Sequence, residues 1–335
     1  MAGVAGLLAG RPAFFYAYDE MPLPPAATRQ DFTVLERPAP MRNMKITSVG
    51  VAVLAAFATP AHAADEKTFA IHFDRPATAG QKFSLAASEI VRTRQKIELP
   101  DGGANSTDKL KRVTLDADVR VDKCDDKGHD SQNTLIIKTL TMQLDGQTRE
   151  LLKPGTQLTL VYEGTVMIFT QKSGEKLPDD ADAGLRQIFK AQREQTLAYD
   201  SIYGTPLKKA VGDSWPVSPA ALATDIQLPG AIDPKQVTGT VVLKAVKPVA
   251  GIECVQIEAA LVANNVPVEG AQPKESTLSV SLACSQPTDP AKPLVSSTAR
   301  ITSHTVIEQQ PQGRGIIRYT LDSETTHAAT WTPKP

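Results

Sequence analysis

Aromatic residues make up only 5% of the 335-residue chain. That scarcity argues against base-stacking platforms and against the aromatic shelves on which sugars are held. Charge of one sign is equally lacking. Lys and Arg total 36 against 37 Asp and Glu, so the net charge of −1 leaves no basic footprint for nucleic acid or for an anionic membrane surface. Catalytic signatures are also missing. The chain contains no Gly-x-Ser-x-Gly elbow, no His-Glu-x-x-His and no glycine-rich phosphate loop. The sequence is accordingly read as that of a non-enzyme that needs no cofactor. No run beyond residue 63 is apolar enough to span a bilayer.

The first feature present is Met41–Ala63. Arg42 and Lys45 form a basic start, Ile46–Ala58 an apolar run, Pro60 a helix breaker, and Ala61-His62-Ala63 a small-x-small cleavage site. This is the pattern of a cleavable bacterial secretory signal peptide, with cleavage expected between Ala63 and Ala64. The expected location is therefore periplasmic or extracellular, with no membrane span in the mature chain. No Cys stands at the cleavage site, so no lipid anchor is expected there. Residues 1–40, rich in proline and without periodicity, are expected to be a mis-annotated start or a disordered extension.

The rest alternates. Phe83, Leu85, Ala87, Val91, Ile97 and Leu99 keep one phase up to Pro100-Asp101-Gly102. Val113, Leu115, Ala117, Val119 and Val121 alternate strictly with Thr114, Asp116, Asp118, Arg120 and Asp122. Such a segment is a half-buried strand with one wetted face. Asp145-Gly146 and Pro154-Gly155 mark further turns, and strands continue through Leu158–Ile168. One helix interrupts the series. Asp179, Asp180 and Asp182 sit where the helix dipole favours negative charge, and Ala181, Leu185, Ile188, Phe189 and Gln192 share a face. Its end is expected near Tyr199, with Arg186, Lys190 and Arg193 outward.

After a Pro/Gly-rich connector, strands resume at Val237–Ala245, Val255–Leu261 and Leu278–Cys284, followed by a hairpin from Ala299 to Leu321. Ten to twelve strands and one or two helices make a mainly β (α+β) fold. The expected architecture is a curved antiparallel meander sheet or half-barrel packed on the helix. Residues 64–200 supply the meander and helix, and 201–335 a second β-rich half continuous with it. The alternative is two β subdomains, split near Asp200–Val217.

Asp122, Cys124, Asp125, Asp126, His129 and Asp130 form the richest cluster of metal-ligand types, but their spacing fits neither a zinc pair nor an EF-hand loop. A charged hairpin turn accounts for all of them, so no metal site is assigned. His72, His304 and His327 are read as surface or edge residues of strands. Gly212-Asp213-Ser214-Trp215 is a turn into a strand, with Trp215 as a core or rim anchor. Cys254 and Cys284 lie on neighbouring strands in what is expected to be an oxidising compartment, which keeps a disulfide between them open. They fall on opposite phases, however, and strand-neighbour disulfides need one face. Two unpaired, partly buried thiols are the leading reading.

Val211–Val217, the strand Val237–Lys244 and its partner Gly251–Ile257 together resemble an uncharacterised family of exported bacterial β-rich proteins. The fold as a whole is similar to the half-barrel of bacterial lipoprotein carriers. The resemblance implies compartment and fold class, and no site residue. The functional expectation is a soluble exported domain whose curved sheet binds a lipid or other apolar ligand. The alternative is a structural or interaction protein whose partner is another envelope protein.

Overall fold

The computed structural model describes residues 67–334, except Thr165, 226–231, Glu269 and 311–314, and except the side chains of 190–198, Thr224 and Asp225. The signal segment, its Ala63–Ala64 junction and residues 1–40 lie outside the described residues.

Alternating apolar residues need a second surface to be buried against, and here one continuous sheet provides it. Twelve strands form a curved, open antiparallel sheet in the order β7-β6-β4-β3-β2-β14-β13-β12-β11-β10-β9, with β5 pairing alongside β6 on β4. The central strands are long: β2 is Lys82–Glu98, β3 Ala104–Cys124, β13 Ser296–Gln309 and β14 Ile317–Pro333. On one side follow β4 (Asp130–Leu144), β5 (Gln147–Leu152), β6 (Gln157–Glu163) and β7 (Val166–Gln171). On the other side lie β12 (Glu275–Pro287), β11 (Ile252–Asn264), β10 (Val237–Val249) and β9 (Ser214–Pro216). A separate two-stranded sheet joins β1 (Phe69–Ile71) to β8 (Thr205–Lys209).

Register follows the hydrophobic phase. Leu85, Ala87, Val113, Leu115, Ala117 and Val119 stand on the inner face in matched pairs, Leu85 opposite Ala117 and Ala87 opposite Leu115. A slip of one residue would turn this whole set to water. Asp145 and Gly146 take positive φ (48° and 87°), the twist that a two-residue hairpin between β4 and β5 demands. At Gly239 a Cβ would come within 2.6 Å of the Ala260 carbonyl oxygen, so only glycine lets β10 approach β11 there.

The helix α1 (Asp179–Tyr203) and the shorter α2 (Pro219–Asp225) pack on the inner face. Two cores result. The first lies under β2–β7 and takes Ala181, Leu185, Ile188 and Phe189 from the start of α1. The second lies under β10–β13 and takes Ile202 and Tyr203 from its end, with Phe69, Phe73, Trp215 and Leu222. α1 thus spans from one core to the other, and the sheet runs unbroken beneath both.

Several details differ from the sequence reading. α1 ends at Tyr203, where Gly204 closes it by donating its N–H to Asp200 O at 3.0 Å. The connector contains β8 and β9, short strands fixed by tertiary pairing and not by their own pattern. Arg186 is half-buried, bonded to Asp182 and to the Met167 carbonyl oxygen. Cys254 and Cys284 are free thiols, offset along the ladder with Cys254 opposite Pro287 and Cys284 opposite Ile257. Burial pushes the Cys284 thiol up to about 12.

Candidate ligand cavity at the seam of two cores

The two cores do not meet at one end of the sheet. There β2 begins, β3 and β14 end, and the β3–β4 and β12–β13 connections turn. A cavity of about 160 Å³ opens at this place. Its apolar wall comes from Phe83 and Leu85 of β2, Val119 and Val121 of β3, Phe189 of α1 and Trp331 of β14. Phe73 and Leu294 close the side nearest the second core. The strand residues line it because alternation sends them to the inner face, and α1 contributes Phe189 among the described residues. An apolar cavity of about 150 Å³ takes up a benzene-sized molecule, so this space suits the apolar part of a small amphiphile and not a whole diacyl lipid.

One wall is polar. Arg75 is 8% exposed and is held entirely by neutral acceptors. Its Nε donates to His72 O (2.8 Å), Nη1 to Pro287 O (3.1 Å) and Asp289 O (2.9 Å), and Nη2 to Gln286 Oε1 (3.1 Å). Burial lowers its pKa, an effect that the nearby Cys284, Asp200 and Asp289 partly offset. The side chain fastens the β1 exit to the 286–292 loop across the second core. Asp200 of α1 completes that fastening, because its carboxylate accepts the backbone N–H groups of Phe73 and Asp74.

His129 stands between two carboxylates, with Nε2 at 3.1 Å from Asp74 and Nδ1 at 3.3 Å from Asp125. Asp125 also accepts the His129 backbone N–H, and this bond holds its carboxyl below the usual range. Asn133, 2% exposed, donates from Nδ2 to Asp130, while its Oδ1 has no hydrogen-bond partner. An unpaired buried acceptor of this kind costs about 1–3 kcal/mol.

The remaining singled-out residues are placed as follows. Asp122 accepts from Arg120 and Thr134, and Cys124 Sγ lies 3.5 Å from Ala77 O. Among the described residues no three His, Cys, Asp or Glu side chains converge as metal ligands. Trp215 is a buried anchor, its Nε1 donating to Tyr203 O at 2.8 Å. His304 pairs across strands with Asp322 (2.6 Å), half-exposed. His327 departs from the surface reading. It is 2% exposed on the inner face of β14, 3.8 Å from Glu89, which in turn accepts from Gln187 of α1. The alternation placed both Glu89 and His327 in the buried phase, and that was the signal for them. Arg75, Asn133 and the cavity itself carried no signal in any single segment.

The fold and site define a class: an open, curved antiparallel sheet holding a helix, with a small cavity where two cores part. No protein-family model matches the chain, and no curated protein does either. Solved structures with a similar β-rich fold include lipovitellin, in a study of lipid–protein interactions, at 10% identity and TM-score 0.30. The match covers 77% of this chain and 26% of that one, so the chain spans about a quarter of lipovitellin. A LolA superfamily protein from Nitrosomonas europaea matches at 10% identity and TM-score 0.12, over 75% of this chain and 86% of that one. A DUF1329 family protein from Desulfovibrio piger matches at 9% identity and TM-score 0.11, over 70% and 83%. At these scores the likenesses carry no function to this chain.

Proposed function

We propose that this is an exported, non-catalytic protein that binds the apolar part of a small amphiphilic molecule in the cavity between its sheet and α1. The observation that carries the reading is the wall of Phe83, Leu85, Val119, Val121, Phe189 and Trp331 around open space, bordered on one side by polar groups. Small-molecule sites are typically such concave, mostly apolar clefts with a few placed polar groups. Export rests on the signal-like segment 41–63. No helix of the described residues is long and apolar enough to cross a membrane. The test is native mass spectrometry of protein exported to a bacterial periplasm. A small bound amphiphile is expected, and it should be absent from the cavity-filling variant Val119→Phe. Ligand-free protein that also fails to take up added amphiphiles would contradict the reading.

One observation favours a second reading, a partner in envelope assembly. Strand β7 is a sheet edge, and its Val166 (47% exposed) and Ile168 (37%) are open. Exposed edges of this kind accept an added strand. Val166→Lys with Ile168→Lys should abolish such pairing and leave cavity binding intact.

A further inference from the structure

The wall of the cavity holds a cation whose charge is not answered. Arg75 lines the space beside Phe73 and Leu294 and is 8% exposed. Its acceptors are all neutral: His72 O on Nε, Pro287 O and Asp289 O on Nη1, and Gln286 Oε1 on Nη2. Nη2 carries a second N–H beyond its bond to Gln286. Among the described residues no carboxylate forms an ion pair with this guanidinium. An arginine in a protein keeps its proton, so the charge stays, although buried charges are as a rule paired.

The carboxylates of this region are engaged elsewhere. Asp200 accepts the N–H groups of Phe73 and Asp74, Asp289 accepts that of Ala291, and Asp74 and Asp125 flank His129. Asp130, the acidic residue of the lining, accepts from Asn133. Burial lowers the Arg75 pKa, and the fields of Asp200 and Asp289 offset this only in part. An anion entering the cavity would therefore meet a guanidinium that folding has already desolvated and oriented. A single positive charge suits a monoanion. A phosphate monoester would bring a second negative charge towards Asp130, and an ammonium head would stand against Arg75.

Resting on the cavity being the ligand site, we infer that it selects an amphiphile with a carboxylate head held by the Arg75 guanidinium. Its short apolar chain lies along Phe83, Leu85, Val119 and Trp331. A hydrogen bond between charged partners is worth about tenfold or more in affinity, and a neutral head forfeits that gain.

Calorimetric titration of the full exported protein with octanoate, octanamide, 1-octanol and octylamine tests this. Octanoate is expected to bind at least about tenfold tighter than octanamide, which keeps the shape of the head and loses only its charge. 1-Octanol is expected near octanamide, and octylamine weakest of the four. Arg75→Gln is expected to lower octanoate to the affinity of octanamide and to leave 1-octanol unchanged. The ligand series needs no variant, so it stands even if Arg75→Gln folds poorly. A folded Arg75→Gln protein that still prefers octanoate tenfold would overturn the assignment to Arg75. Octanamide as tight as octanoate, or octylamine tightest, would overturn the carboxylate head and leave the cavity as a ligand site. No binding of any of the four would overturn both.

Discussion

The two cores of this molecule share one sheet and one helix, yet they are closed in different ways. The second, under β10–β13, is sealed by pieces from across the chain: β1, the end of α1, β9 and α2. Phe73, Tyr199 and Tyr203 form an edge-packed aromatic group there, with ring centroids 5.3–6.1 Å apart. The first, under β2–β7, is capped by the opening turns of α1 through Ala181, Leu185, Ile188 and Phe189. The cavity lies at the margin of the capped core, with Phe73 and Leu294 of the sealed one closing its far side. An incomplete seal between two well-packed halves is thus enough to leave open space inside a β-protein.

Breaking the sealed side should have the largest effect. Trp215→Ala removes a buried aromatic and its bond to Tyr203 O, and is expected to cost about 3–5 kcal/mol in urea unfolding. A loss below about 1 kcal/mol would mean that this half is not the tighter one. Next comes the fastening between β1 and the 286–292 loop. Arg75→Met leaves the Pro287 and Asp289 carbonyls without donors and should cost about 2–3 kcal/mol by the same assay.

The contrast is sharpened by one substitution made twice. Val241→Leu, in the sealed core, has no space for the added methylene and should cost about 1–3 kcal/mol. Val119→Leu borders the cavity, and its cost should stay under about 0.5 kcal/mol because the added volume is already available. Equal costs would erase the distinction between the cores. The smallest effect is chemical. The thiolate is the reactive species, and burial holds the Cys284 thiol up to about 12, so at pH 8 it stays protonated. Iodoacetamide is then expected to label the partly exposed Cys124 in the folded protein, slowly because burial raises its pKa as well, and to reach Cys284 only on unfolding. Labelling of Cys284 in native protein, followed by mass spectrometry, would show that the sealed core opens.

Much of the sheet was legible from local pattern. The strict alternation from Val113 to Val121 is repeated in burial, residue for residue, because a strand with one wet face must show its period in its sequence. The helix announced itself through Asp179, Asp180 and Asp182 and through the spacing of Leu185, Ile188 and Phe189. Strands β1, β8 and β9 did not, because three to five residues hold too little period to read. His327 was misjudged because a polar residue in a buried phase reads locally like an edge residue. Only the pairing of β14 with β2 brings it to Glu89. The candidate site was almost invisible. Phe73, Val119, Asn133, Phe189 and Trp331 come from five separate segments and meet only through the order of strands across the sheet.

A ligand site at the seam between the cores would depend on the residues of its wall and not on those of the sealed core. Calorimetric titration with 1-octanol of the unaltered protein, Val119→Phe and Trp215→Phe tests it most directly. One saturable site is expected, abolished by Val119→Phe at the cavity wall and retained by Trp215→Phe in the sealed core. Binding that survives Val119→Phe, or that disappears with Trp215→Phe while the fold persists, would contradict it.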